Sequence, residues 1–114
     1  MTNPHRGESL LKLANQEIQT KINLDSIVRM ESALKSSIVR VMQNVAAGEV
    51  RTEEIVTILH IAIRGGGNDW DRKQVEKLVW DGGLVDSMKA VADVLTSALV
   101  AGDDSGNSEA VEQK

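Results

Sequence analysis

With 114 residues, the chain has room for one domain, and a domain of that length buries roughly two-thirds of the surface its unfolded chain exposes. It contains no cysteine, which excludes disulfides and thiolate metal sites, and its only aromatics are two tryptophans, so the core must be built from Ile, Val, Leu, Met and Ala. The formal net charge of -4 argues against nonspecific binding to nucleic acid or to an anionic membrane surface.

Residues Met1 to Gly7 are polar, with Pro4 and Gly7 as breakers, and read as a flexible arm. MTNPHRGES lacks the apolar stretch of a signal peptide, and no apolar run reaches the ~18 residues of a membrane span. The cytoplasm is the expected location. Two short strands follow, Glu8 to Ala14 and Gln16 to Asn23. In the second, Ile18, Thr20 and Ile22 alternate with polar residues, a period of two. In the first, Leu11 and Leu13 alternate with Leu10 and Lys12. Asn15 tolerates positive φ and suits a tight hairpin turn. A hairpin alone is marginal, so it must pack on helices.

Asp25 or Ser26 is the expected cap of a first helix, with Ile27, Val28, Met30 and Leu34 as its apolar positions. Ser36 or Ser37 starts a second, with Ile38, Met42 and Val45 on one stripe and Gly48 as its stop. The third, from a Thr52 cap to Arg64, is the most apolar stretch of the chain. Ile55, Ile58, Leu59 and Ala62 form one stripe, and Val56, Ile61 and Ile63 widen it until little polar surface remains. Such a helix belongs in the middle of a domain. Asn68 or Asp69 is the expected cap of a fourth helix running to about Trp80, with Val75, Leu78 and Val79 inward. The fifth, Leu84 to Ala101, shows an inward stripe of Leu84, Met88, Val91, Ala92, Leu95 and Leu99. From Gly102 on, the composition turns acidic and small, which predicts a disordered tail over 102–114. The fold class read from this pattern is α+β and mostly α. An N-terminal β-hairpin is followed by a small bundle of four to five helices, all within residues 8–101.

The chemistry-bearing residues do not assemble into a catalytic or metal-binding pattern. Gly65-Gly66-Gly67 before a helix invites a phosphate-loop reading, but no Gly-Lys-Ser/Thr follows, and Asp69 and Asp71 would repel the anion. His60 has Val56, Thr57, Ile63 and Arg64 as helical neighbours, none a good metal ligand, and reads as a histidine at the polar edge of a core helix. Asp81, Asp86 and Asp93 lie where solvated acids go. No enzyme, cofactor or metal is expected. Five basic residues, Arg51, Arg64, Arg72, Lys73 and Lys77, are interleaved with Glu53, Glu54, Asp69, Asp71 and Glu76 and make no positive face. A DNA-binding regulator is therefore a less favoured reading.

Partner-binding candidates are Trp70 and Trp80, which flank the fourth helix, and the apolar surplus of Ile61, Ile63, Val85 and Val94. The bland reading of each tryptophan is a core-edge residue; the functional one is an anchor in a protein interface. The apolar surplus is either a second buried face or a surface for partners, a second copy of the chain included.

Several motifs in order resemble one family. The opening Asn3-Pro4-His5-Arg6-Gly7-Glu8 precedes the hairpin, and Leu24 to Leu34 contains Met30-Glu31. Gly48 to Ile55 links into the central helix, Arg64-Gly65-Gly66-Gly67 follows it, and Asp81-Gly82-Gly83-Leu84 precedes the last helix. The chain is similar in these features to the small tail-cluster proteins of gene transfer agents and related prophages. They are classed among phage tail assembly chaperones and sometimes labelled tail tube proteins. Where the family commonly has Asp-Gly in the hairpin, this chain has Asn15-Gln16, and the family's tyrosine in the second strand is absent. The resemblance implies a non-enzymatic factor that binds the tape-measure protein, and other tail proteins, in the cytoplasm of a bacterial host. The alternative it leaves is a structural tail component retained in the particle.

Overall fold

The computed structural model describes residues 7–104, with side chains described as far as Leu99. His5 and Arg6 of the opening motif, and 105–114 of the acidic tail, lie outside the described residues. The architecture is the α+β one expected: an antiparallel hairpin, β1 (Glu8–Leu13) and β2 (Gln16–Lys21), then five helices. These are α1 (Leu24–Leu34), α2 (Ile38–Ala46), α3 (Thr52–Gly65), α4 (Arg72–Gly82) and α5 (Leu84–Asp104). Among the described residues no helix is long and apolar enough to cross a membrane.

α3 is the hub. It touches β2, α1, α4 and α5. Ile55, Val56, Ile58, Leu59, Ala62 and Ile63 are all buried, Ile58 and Leu59 completely. A helix begins here because Glu53 and Glu54 place negative charge in its first turn, and Glu54 accepts the Arg51 N–H at 2.9 Å. Arg51, rather than Thr52, is thus the residue before the first turn.

The hairpin follows its period of two. Leu11, Leu13, Ile18, Thr20 and Ile22 face the core, while Leu10 and Lys12 face out. Thr20 is tolerated in full burial because its hydroxyl donates to the Ser9 carbonyl at 2.9 Å. Gly7 does not belong to an arm: it is buried, and its carbonyl accepts the Ile22 N–H at 2.9 Å, one step beyond the strands. The turn residues are Ala14 and Asn15, with φ of 53° and 62°, not Asn15 and Gln16. Positive φ at both central positions is the type I′ geometry that matches strand twist, and alanine occupies it at a cost of about 1 kcal/mol. The double change Ala14→Asn, Asn15→Gly supplies the pair this turn prefers. It should stabilise the domain by about 1 kcal/mol, read as a melting temperature about 5 °C higher.

Helix starts differ from expectation where several cap-forming residues adjoin. α1 is capped by Asn23, whose Oδ1 accepts the Ser26 N–H at 2.8 Å, and not by Asp25 or Ser26. α4 is capped by Asp71, whose carboxylate accepts the Gln74 N–H at 2.9 Å, and not by Asn68 or Asp69. Asn68 instead donates to the Gln19 carbonyl at 2.7 Å and the Ile63 carbonyl at 3.1 Å, tying β2 to the end of α3. α2 starts at Ser37, one of the two serines expected, and Glu31 of α1 also accepts the Ile38 N–H at 2.8 Å. α5 presents a different face from the one its longest residues suggested. Ser87, Ala90, Val91, Val94, Leu95 and Ala98 are buried, while Leu84 and Leu99 are exposed and Met88 and Ala92 sit at the margin. This face packs on β1 and also on α2, α3 and α4. Ser87 is fully buried and satisfied by the Gly83 carbonyl at 2.7 Å. The helix continues past Ala101 to Asp104.

Candidate protein-binding corner

The glycine run is a packing device. An added Cβ on Gly65 would collide with the Lys21 carbonyl, and one on Gly66 with the Gln19 carbonyl, so the end of α3 lies directly on the backbone of β2. Only glycine lets two backbones approach this closely. Gly67 has φ of 94° and turns the chain toward Asn68. An anion at the start of α4 would meet the Asp71 carboxylate instead of free N–H groups. Gly82 has a related role: its Cβ would strike the Leu13 side chain, so α4 ends against the hairpin turn.

The residues singled out for partner binding divide sharply. Ile63 and Val94 are 0% and 1% exposed and belong to the core, so they supply no surface. Both lie on α-helical faces packed against other elements, which is what the excess apolar width of α3 and α5 was for. Ile61 is half-buried at the rim of the core. Trp70 is half-buried as well, packed against the core, and its carbonyl lies 2.9 Å from His60 Nε2. His60 therefore holds the loop between α3 and α4, in keeping with a histidine at the edge of a core helix. Arg64 is exposed and lies 3.5 Å from Asp69.

Trp80 and Val85 stand apart, at 83% and 67% exposed. Val75, Leu78 and Val79 take the inner face of α4, and one residue further on the helix turns Trp80 to the opposite side. Gly83, with φ of 88°, then bends the chain into α5, whose first residues are Leu84 and Val85. Leu84, expected inside, is 48% exposed. One indole and two aliphatic side chains thus meet water at the α4–α5 elbow. Large exposed apolar groups of this kind, an aromatic above all, are what anchors protein interfaces. A further pair, Leu24 and Val28, is exposed at i and i+4 on α1, and Val39 is exposed on α2.

Beside the elbow an open groove of about 730 Å³ runs between the hairpin and α5. Leu10, Lys12 and the turn line one side; Asp86, Lys89 and Asp93 line the other. It holds no histidine, and Asp86 and Asp93 are solvent-exposed. Among the described residues no cluster of three or more His, Cys, Asp or Glu side chains could hold a metal ion. Leu24 and Leu84 were missed as surface residues. Val28, expected among the apolar positions of the first helix, is exposed with Leu24, so spacing gave no sign of either.

A family model described as phage tail tube protein, GTA-gp10, matches residues 6–101. No curated protein matches the chain, and no solved structure does.

Proposed function

The chain belongs to the phage tail tube protein family GTA-gp10, and from that footing we propose that it is a non-enzymatic structural component of a phage or gene-transfer-agent tail. The family match over residues 6–101 carries this reading, since it takes in the whole hairpin and all but the end of α5. The protein works by contact with other tail proteins, and the elbow of Trp80, Leu84 and Val85 is the surface it offers them. Assembly takes place in the cytoplasm of the bacterial host. The acidic balance, -4 overall, disfavours nucleic acid as the ligand.

One observation favours a second reading, a tail assembly chaperone that binds the tape-measure protein and leaves before the particle is complete. Tube walls are expected to be β-rich, whereas the described residues form one two-stranded sheet and five helices. Exposed apolar positions on α1, α4 and α5 suit contact with an amphipathic helix.

Mass spectrometry of purified particles separates the two. A tail component is recovered in fixed proportion to the other tail proteins, and a chaperone is abundant in the producing cell but missing from the particle. Trp80→Ala should leave the melting temperature within about 2 °C of the parent, because the side chain is mostly in water. The same variant should lower particle yield at least several-fold. Unchanged yield would remove the elbow from the assembly surface.

A further inference from the structure

β1 is an edge strand, and among the described residues its outer side pairs with no other strand. Leu13 pairs with Gln16 across the two-residue turn, Leu11 with Ile18 and Ser9 with Thr20. Residues flanking such a turn exchange hydrogen bonds, and hydrogen-bonded pairs recur at every second position. The Ile22-to-Gly7 hydrogen bond continues the same alternation. The backbone N–H and C=O groups of Glu8, Leu10 and Lys12 therefore point away from β2. Among the described residues, no other element hydrogen-bonds to them. The side chains of these three also share one face, the one opposite buried Leu11 and Leu13. An open edge of this kind is a template for another strand.

We propose that the occupant is a second copy of this chain, paired antiparallel through β1 with the two-fold axis at Leu10. The charge pattern selects that register. Glu8 then lies opposite Lys12 of the second copy, Lys12 opposite its Glu8, and the two Leu10 side chains meet at the axis. The outer face of the resulting four-stranded sheet reads Lys21, Glu8, then Lys12 and Glu17 of the second copy. Signs alternate across the row, and the symmetric row on the other side does the same. Opposite charges facing each other across strands stabilise a sheet, and like charges destabilise it. Sliding the copies by one hydrogen-bonded pair sets Leu10 against a charge. Sliding by two sets Glu8 against Glu8 or Lys12 against Lys12. The pairing is isologous, so it closes at a dimer and does not propagate. It stands whether the chain stays in the particle or leaves it.

Sedimentation of the full-length protein across the micromolar range tests this. The parent chain should be a dimer. Glu8→Lys and Lys12→Glu, each alone, put like charges in both facing pairs and should weaken the dimer at least about tenfold. Mixing the two single variants should restore a heterodimer, since every facing pair is then opposite in sign. The double variant Glu8→Lys, Lys12→Glu should recover the homodimer. All these side chains lie on the outer face, and matching circular dichroism melts will show that each variant is folded. A parent chain that is monomeric at every concentration overturns the proposal. So does a dimer indifferent to the single changes, or a pair of single variants that stay monomeric when mixed.

Discussion

Ile58→Asp should abolish the cooperative thermal transition of the domain. Ile58 is completely buried in α3, the helix that β2, α1, α4 and α5 all touch. The substitution forfeits about 2–3 kcal/mol of apolar burial. It also places a carboxylate among Ile, Leu and Val side chains with no cation near, a further cost of several kcal/mol. Together these rival the whole stability of a domain this size, about 5–10 kcal/mol. Ile58→Val is the control and should cost only about 1 kcal/mol. A calorimetric melt of the aspartate variant with a normal endotherm would show that α3 is not the hub.

Gly66→Ala should cost more than Gly67→Ala, although Gly67 has the unusual backbone. Gly66 has φ of -81°, which alanine adopts freely, but its Cβ would lie 2.9 Å from Thr20 Cα and closer still to the Gln19 carbonyl carbon. Backbone lies on both sides of that contact, so relief requires moving α3 off β2. Overpacking of this kind costs about 3 kcal/mol. Gly67 has φ of 94° but nothing within 4 Å of an added Cβ, so only the conformational penalty remains, about 1 kcal/mol. Urea titration of the two variants ranks them directly. The reverse order would mean that the glycines serve turning alone, and that the close approach of α3 to β2 is not what holds the hairpin.

The parts of the fold with one dominant local signal were legible. The apolar width of α3 marked it as central, and the alternation of Ile18, Thr20 and Ile22 set the inward face of β2. Boundaries slipped where neighbouring residues offer the same chemistry. Asn23, Asp25 and Ser26 are all good caps, and the reciprocal bonds between Asn23 and Ser26 at the first turn choose Asn23. The phase of α5 was misread for a different reason. The long side chains Leu84, Met88 and Leu99 suggest one face, whereas the buried face is Ser87, Ala90, Val91, Val94, Leu95 and Ala98. That single rotation accounts for the misplaced Leu84 and Leu99, and puts Val94 in the buried face, one of the two readings open to it. Trp80 left two readings open, a core edge or an interface anchor, and its position on α4 decides for exposure. Tryptophan is usually buried, but Val75, Leu78 and Val79 had already claimed the inner face of α4. Gly65 and Gly66 could not be read at all as packing residues, because their partner, the β2 backbone, lies more than forty residues away in the chain.

The two indoles occupy opposite kinds of environment, Trp70 against the core and Trp80 in water, and the chain has no tyrosine to mask them. Intrinsic fluorescence therefore separates two events within one molecule. Denaturation changes the emission of Trp70, while Trp80 is already solvated and stays nearly silent. Docking of a tail protein on the elbow would do the reverse, shifting Trp80 to shorter wavelength while Trp70 stays as it was.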